Sequence, residues 1–468
     1  MRAHPAGPRH GDVVPAGHPL RPPHDLDRLD PLIWPLTAGR DAAGILTLGG
    51  VGVDELAAAY QTPLFVLDEA DFRARAGRYR AAYDDPQLPA DVYYAAKAFL
   101  AAGVARWVAA EGLRIDVCTL GELELALRSG VAAPQILFHG NNKSAVELDR
   151  ALEVGVGRIV VDSFDEIELL DSLALARRTV AGVLVRVTVG VEAHTHEYIA
   201  TAHEDQKFGF SLASGDALRA AHRVAAAEGL QLVGLHSHIG SQIFEPAGFE
   251  VSAHRVVGLA AALRDADVAV GELNLGGGMG IAYVDGDDPI DVAEMAAALR
   301  DIVRRECEAA QLPLPRLAVE PGRALIGPAG ITVYEVGVVK PVDLGHGETR
   351  TYVSVDGGMS DNIRTALYDA DYTVVLAGRV STQPAMQCRV VGKHCESGDI
   401  VVRDAWLPAD VRRGDLVAVA ATGAYCRAMA SSYNLTPRPA VVAVRDGQHT
   451  TVLRRETIDE VLGLDAGL

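Results

Sequence analysis

The chain has 468 residues, 49% of them apolar and 22% charged, with a formal net charge of −19. That length is too great for one ordinary core, so two domains are expected, and so acidic a surface argues against nucleic-acid and membrane partners. Five cysteines without a CxxC pair fit reduced thiols and a cytoplasmic home, and no run reaches the ~18 apolar residues of a membrane span.

Residues 1–28 are rich in Pro, His, Gly and Arg and lack the apolar centre of a secretory signal, so they read as a disordered leader. Residues 29–60 contain "ILTLGG" and form an N-terminal segment that adds a strand to the domain following it or contributes to a β domain. Between residues 91 and 320, short runs rich in Val, Ile and Leu alternate with longer segments of helical spacing. Eight runs read as strands: 91–97, 114–118, 135–139, 158–162, 182–187, 231–237, 271–275 and 316–320. Apolar on both faces, they are expected to be parallel and covered by helices. Thr119–Glu122, Ser144–Glu147 and Ser163–Glu166 each fit the S/T-x-x-E signature of a helix start. In 216–230 apolar residues recur at Leu218, Ala221, Val224 and Ala225, with Gly229 where a helix C-cap belongs. Eight strand–helix units predict a (β/α)8 TIM barrel over residues 61–328.

After residue 328 short strands follow one another without helices, at 351–355, 372–376, 386–392, 399–403, 415–421 and 440–445. Asp446-Gly447 between two β-rich runs is the signal of a two-residue hairpin. The fold class is therefore α/β, a barrel joined to a C-terminal all-β domain over 329–468.

In such barrels chemistry sits at the C-terminal ends of the strands. The first strand, in "DVYYAAKAFL", ends with Lys97, and the third ends at His139. The sixth runs into "HSHIGSQ" (236–242), the seventh into "NLGGGMG" (274–280) and the eighth into "EPGR" (320–323). A lysine at a strand end can simply snorkel to water, but its company on this rim suggests another use. Three consecutive glycines, 276–278, cost conformational entropy. They make either a tight turn or a bare backbone whose N–H groups approach a phosphate. Barrel phosphate sites commonly follow strands seven and eight, where these glycines and EPGR lie. The run is not GxGxxG after a first strand, so a dinucleotide site is not supported.

A phosphate site together with a strand-end lysine suggests pyridoxal 5'-phosphate, whose aldehyde condenses with a lysine amine. Glu320 is placed to favour a protonated pyridine nitrogen, or to pair with Arg323. His236 and His238 share one side of a strand, as metal ligands do, yet one imidazole stacked on the pyridine ring is the better use. The loop 194–205 carries His194, His196 and His203; no metal is expected there or elsewhere.

The stretches "YYAAKAF", "HSHIGSQ", "NLGGGMGI", "EPGRAL", "VDGGMSDNIRTALY", "GKHCESGD" and "GAYCRAMASSYN" resemble those of the diaminopimelate decarboxylases, in the alanine-racemase-like group of pyridoxal-phosphate enzymes. They span residue 50 to the C-terminus. The resemblance implies decarboxylation of meso-2,6-diaminopimelate to L-lysine and carbon dioxide. It implies that Lys97 forms the Schiff base, that His238 stacks on the ring and that Cys395 donates the proton. Ser241, Gly278 and the Glu320, Pro321, Gly322 and Arg323 backbone hold the phosphate side, with Glu320 on the ring nitrogen. Arg323, Arg364 and Tyr368 bind the distal end of the substrate, Glu396 its distal ammonium, and Tyr425 touches cofactor and substrate. It further implies a homodimer in which Cys395 and Glu396 come from the partner subunit.

Three rivals are distinguishable. A decarboxylase of ornithine, arginine or carboxynorspermidine would lack the pairing of Arg323 and Arg364 with Glu396. A racemase would need a tyrosine acid in place of the "HCESGD" loop. A non-catalytic cofactor-binding homologue would have lost Lys97 or Cys395.

Overall fold

The computed structural model describes residues 22–190, 207–345 and 348–468. The chain forms two compact units, one comprising Arg73–Gly280 and Asp288–Leu325, the other the residues before Arg73 together with Ile281–Asp287 and Ile326–Leu468. Among the described residues no helix is long and apolar enough to cross a membrane.

The first unit is a closed eight-stranded parallel barrel. Its strands are Ala90–Ala95, Arg114–Val117, Ile136–Phe138, Arg158–Val161, Ala181–Thr188, Leu230–His236, Glu272–Asn274 and Arg316–Val319. Each pairs with the next, and Leu317–Val319 pairs with Ala90–Val92 to close the ring. All eight expected strands are present. Their residues are almost wholly buried because helices cover one face and the barrel interior fills the other. Tyr93, Leu137, Val160, Leu184 and Ala318, from five strands, form one buried cluster.

The expected helix starts hold in detail. Ser144 and Glu147 make a reciprocal capping box. Thr119 and Ser163 accept the Glu122 and Glu166 backbone N–H groups. The Glu122 and Glu166 carboxylates, however, reach one residue further back, to the N–H of Cys118 and Asp162. One expectation fails: the helix Asp216–Ala226 is capped by Ala227, in extended conformation, and not by Gly229. Gly229 lies beside Asp171, whose carboxylate accepts its N–H at 2.7 Å.

The second unit is built around the 16-residue strand Gly330–Gly345. It pairs antiparallel with Glu348–Val355, with Leu416–Val419 and with Leu64–Asp68. Leu64–Asp68 also runs parallel to Ala440–Arg445. This early strand therefore belongs to the β unit, although the sequence reading began the barrel at residue 61. "ILTLGG" contributes Leu46–Leu48 to a small three-stranded sheet, and Leu46 and Leu48 are buried in the core of the same unit. They add no strand to the barrel. Ala440–Arg445 and Gln448–Leu453 form the hairpin signalled by Asp446-Gly447, with both turn residues at positive φ. Of the expected leader, residues 1–21 lie outside the described residues, while Asp27 pairs with Arg40 at 3.0 Å.

Candidate active site

The polar residues picked out along the barrel strands lie at the carboxyl ends of those strands. The first strand stops at Ala95, and Lys97 sits in the single 3-10 turn Ala96–Ala98 that follows, its side chain exposed while its neighbours are buried. The Ala95 N–H donates to the Pro321 carbonyl at 3.2 Å, tying the lysine turn to the Glu320–Arg323 turn. The Glu320 N–H in turn donates to the Gly276 carbonyl at 2.8 Å. Lysine, carboxylate and glycine run therefore share one rim.

Glu320 is buried and heavily solvated by protein. Its Oε1 accepts from His139 Nε2 at 2.8 Å and from Asn274 Nδ2 at 2.8 Å. His236 Nε2 lies 3.2 Å from Oε1 and 3.4 Å from Oε2. Burial pushes this carboxyl up, but the two histidines outweigh it and hold it well below the ordinary carboxylate value. His236 is fully buried and its pKa falls to about 4, chiefly through burial, against the pull of Glu320. It is neutral at neutral pH. Arg323 Nη2 donates to Ser241 Oγ at 3.0 Å.

The glycine run is demanded by close backbone approach. A Cβ at Gly277 would lie 2.2 Å from the Glu320 carbonyl oxygen. Gly278 has φ +105, and a Cβ there would lie 2.3 Å from the Gly240 carbonyl oxygen. Among the described residues the Gly278 N–H has no protein acceptor. The turn thus leaves a bare backbone, beside a hydroxyl oriented by a guanidinium, which is the donor chemistry a phosphate ester takes. His238 Nδ1 accepts the Gly277 N–H at 3.2 Å. Desolvation, then the charges of Lys97 and Arg186, hold its pKa well below the ordinary value, so the ring is neutral. A lysine amine, a neutral imidazole, an ionised carboxylate and a phosphate cradle fit pyridoxal phosphate.

Sequence reasoning passed over Asp116 and Arg186. Both are buried, and both act electrostatically on this cluster. Their signal was a charge inside a largely apolar run: Asp116 in "RIDVC" and Arg186 in "VLVRV". His139, His236 and Glu320 are also, among the described residues, a group whose ligand atoms lie close enough to hold a metal ion, within 4.8 Å. The loop histidines His194, His196 and His203 lie outside the described residues.

The β unit carries the remaining candidates. Arg364 and Tyr368 share one short helix, Arg364–Tyr368. Arg364 is buried, donates to the Tyr372 hydroxyl at 2.5 Å and lies over the Tyr283 ring at 4.9 Å. Tyr368 and Tyr425 are half-buried, and Tyr425 has φ +60, a strained value for a side chain of that size. Cys395 and Glu396 are exposed on the loop between two sheet strands. His394 beneath them is buried. Its Nδ1 donates to Asn434 Oδ1 at 2.9 Å, and its Nε2 lies 2.8 Å from the Ser360 hydroxyl.

Comparisons with known proteins agree with this chemistry. The family model described as pyridoxal-dependent decarboxylase, pyridoxal binding domain, matches residues 69–327. The diaminopimelate decarboxylase of Mycobacterium tuberculosis is 56% identical over 450 residues, which cover 94% of this chain and 99% of that protein. That of Mycobacterium leprae is 53% identical over 475 residues, covering 99% and 100%. The solved structure of diaminopimelate decarboxylase from M. jannaschii in complex with L-lysine superposes with a TM-score of 0.85 at 29% identity, covering 92% of this chain and 98% of that one.

Proposed function

This chain belongs to the pyridoxal-dependent diaminopimelate decarboxylases, and we propose a division of labour among its residues for converting meso-diaminopimelate to L-lysine and carbon dioxide. The observation that carries the assignment is the shared rim. The turn bearing Lys97, the Glu320–Arg323 turn and the glycine run are joined by two backbone hydrogen bonds. When bound, pyridoxal phosphate supplies an electron sink for the carbon that loses carbon dioxide.

Lys97 would hold the cofactor through its side-chain amine. Gly278, Ser241 and the backbone of Pro321, Gly322 and Arg323 receive the phosphate, and Arg323 orients the Ser241 hydroxyl for that purpose. His238, held neutral, would support the cofactor ring without adding a charge. Glu320, held ionised, would serve the ring nitrogen as an acceptor, which favours that nitrogen's protonated form.

On the substrate side, Arg323 and Arg364 are assigned to the carboxylate that is retained, which a guanidinium meets with a planar donor fork, and Tyr368 and Tyr425 are assigned to the substrate. Glu396 answers the distal ammonium. A substrate with an uncharged far end would leave these charges unpaired, which can cost a factor of order 10⁴ in discrimination. Cys395 delivers a proton from Sγ to the carbon that has lost its carboxylate. The exposure of Cys395 and Glu396 on an internally braced loop supports a homodimer in which that loop completes the neighbouring subunit's site.

The test is product analysis with meso-diaminopimelate, ornithine and arginine supplied in parallel. Lysine formed from diaminopimelate, and abolished by Lys97→Ala, is expected; predominant turnover of ornithine would overturn the substrate assignment.

A further inference from the structure

Glu320 has more partners than its assigned role requires. An ionised carboxylate offers about four lone-pair sites and no donor. His139 Nε2 and Asn274 Nδ2 take the two sites of Oε1, both at 2.8 Å, and His236 Nε2 faces a third on Oε2 at 3.4 Å. The donors come from the ends of the third, sixth and seventh barrel strands, and Glu320 follows the eighth. Asn274 is itself oriented, because its Oδ1 accepts the Gly276 N–H at 2.8 Å.

The tautomer of His236 follows from its surroundings. Its Nδ1 is buried with no hydrogen-bond partner among the described residues. A buried orphan N–H is more costly than a buried lone pair, so the proton sits on Nε2, facing Glu320. The rings of His139 and His236 pack edge to face, with centroids 4.7 Å apart, so neither turns away without disturbing the other.

We infer that His139 and His236 are positioning residues of the reaction, acting as a pair of N–H donors that lock the Glu320 carboxylate in one orientation as an acceptor. This rests on Glu320 serving the ring nitrogen. Protonating Glu320 would set an O–H against these donors, so the arrangement resists proton transfer from the ring to the carboxylate. The pair works among other charges. Asp116 Oδ1 lies 4.0 Å from His139 Nε2, and Lys97, Arg186 and His238 are electrostatically coupled to the cluster.

The experiment uses holoenzyme loaded with cofactor 15N-labelled at the ring nitrogen, read by NMR. The wild type is expected to show a protonated ring nitrogen from about pH 6 to about pH 9. His139→Leu and His236→Leu are expected to shift the signal toward the unprotonated value and to lower kcat by roughly 10- to 100-fold, the usual cost of losing such a supporting contact. His139→Gln and His236→Gln, which keep an N–H donor, are expected to restore both. Glu320→Gln separates the two ideas. If it leaves the signal unchanged, Glu320 does not serve the ring nitrogen. If it moves the signal while both leucine variants leave it in place, the inference about the histidines is overturned and the role of Glu320 stands. Should the leucine variants fail to fold, the wild type decides: a ring nitrogen that titrates between about pH 6 and pH 9 overturns the inference.

Discussion

The Asp399 carboxylate accepts the backbone N–H of His394 at 2.7 Å and so fixes the entry to the loop that carries Cys395 and Glu396. The same carboxylate accepts the Met359 N–H at 2.6 Å. An exposed thiol and an exposed carboxylate are thus presented by a braced backbone and not by a slack loop. Asp399→Ala would orphan two N–H groups at a cost of roughly 1–3 kcal/mol each. Its Tm is expected to fall and its kcat to drop further than Tm alone explains. Unchanged turnover in a folded Asp399→Ala protein would show that the loop needs no brace.

Gly278 is a second point where backbone geometry carries function. Alanine there must adopt φ +105 and place its Cβ 2.3 Å from the Gly240 carbonyl oxygen. Gly278→Ala is expected to cost about 1–3 kcal/mol of stability from backbone strain and to weaken pyridoxal phosphate binding. Titration of the apoenzyme with cofactor measures this; wild-type affinity would remove Gly278 from the phosphate cradle.

His236 gives the protein a defined acid sensitivity. Its pKa is about 4 when folded, against an ordinary value of 6.5. Between those values the unfolded chain binds the extra proton and the folded chain does not, so stability falls as pH falls through that window. The contribution at stake is roughly 3 kcal/mol. Glu320 acts in the same direction, since its folded pKa lies below the ordinary 4.5 and its contribution is lost only at still lower pH. Thermal melts of the wild type and His236→Gln from pH 7 to pH 4 are expected to converge as pH falls, because the glutamine does not titrate. Parallel curves would mean that His236 takes up its proton at the same pH in the folded as in the unfolded chain.

Arg364 is held by Tyr372 and Tyr283 in a geometry that a lysine cannot reproduce, because a planar fork is replaced by a point charge. Arg364→Lys is expected to lower kcat/KM for meso-diaminopimelate by roughly 10- to 100-fold, the worth of one hydrogen bond to a charged group. Most of that loss is expected in KM, since the proposed interaction is with a carboxylate that does not react. Steady-state kinetics decide; a loss confined to kcat would place Arg364 at the reacting carbon.

Much of the fold was readable because its signals are local. A buried parallel strand must be apolar on both faces, and a helix start must satisfy its own N–H groups. The eight runs from 91 to 320, the Ser144–Glu147 box and the Asp446-Gly447 hairpin therefore appear in the structure as read. Lys97, the glycine run and Glu320 were visible as residues too costly to keep in those places for packing alone. What the chain order does not carry is which distant groups meet. Closure of the barrel brings His139 to Glu320 across 181 residues and His236 across 84, and sheet pairing takes Leu64–Asp68 into the β unit beside Gly330–Gly345. Hydrogen bonds between strand ends depend on register and closure, which are properties of the assembled sheet. Sequence alone thus named most of the chemical groups at the strand ends, while the tertiary structure added Asp116 and Arg186 and decided which groups share a hydrogen bond.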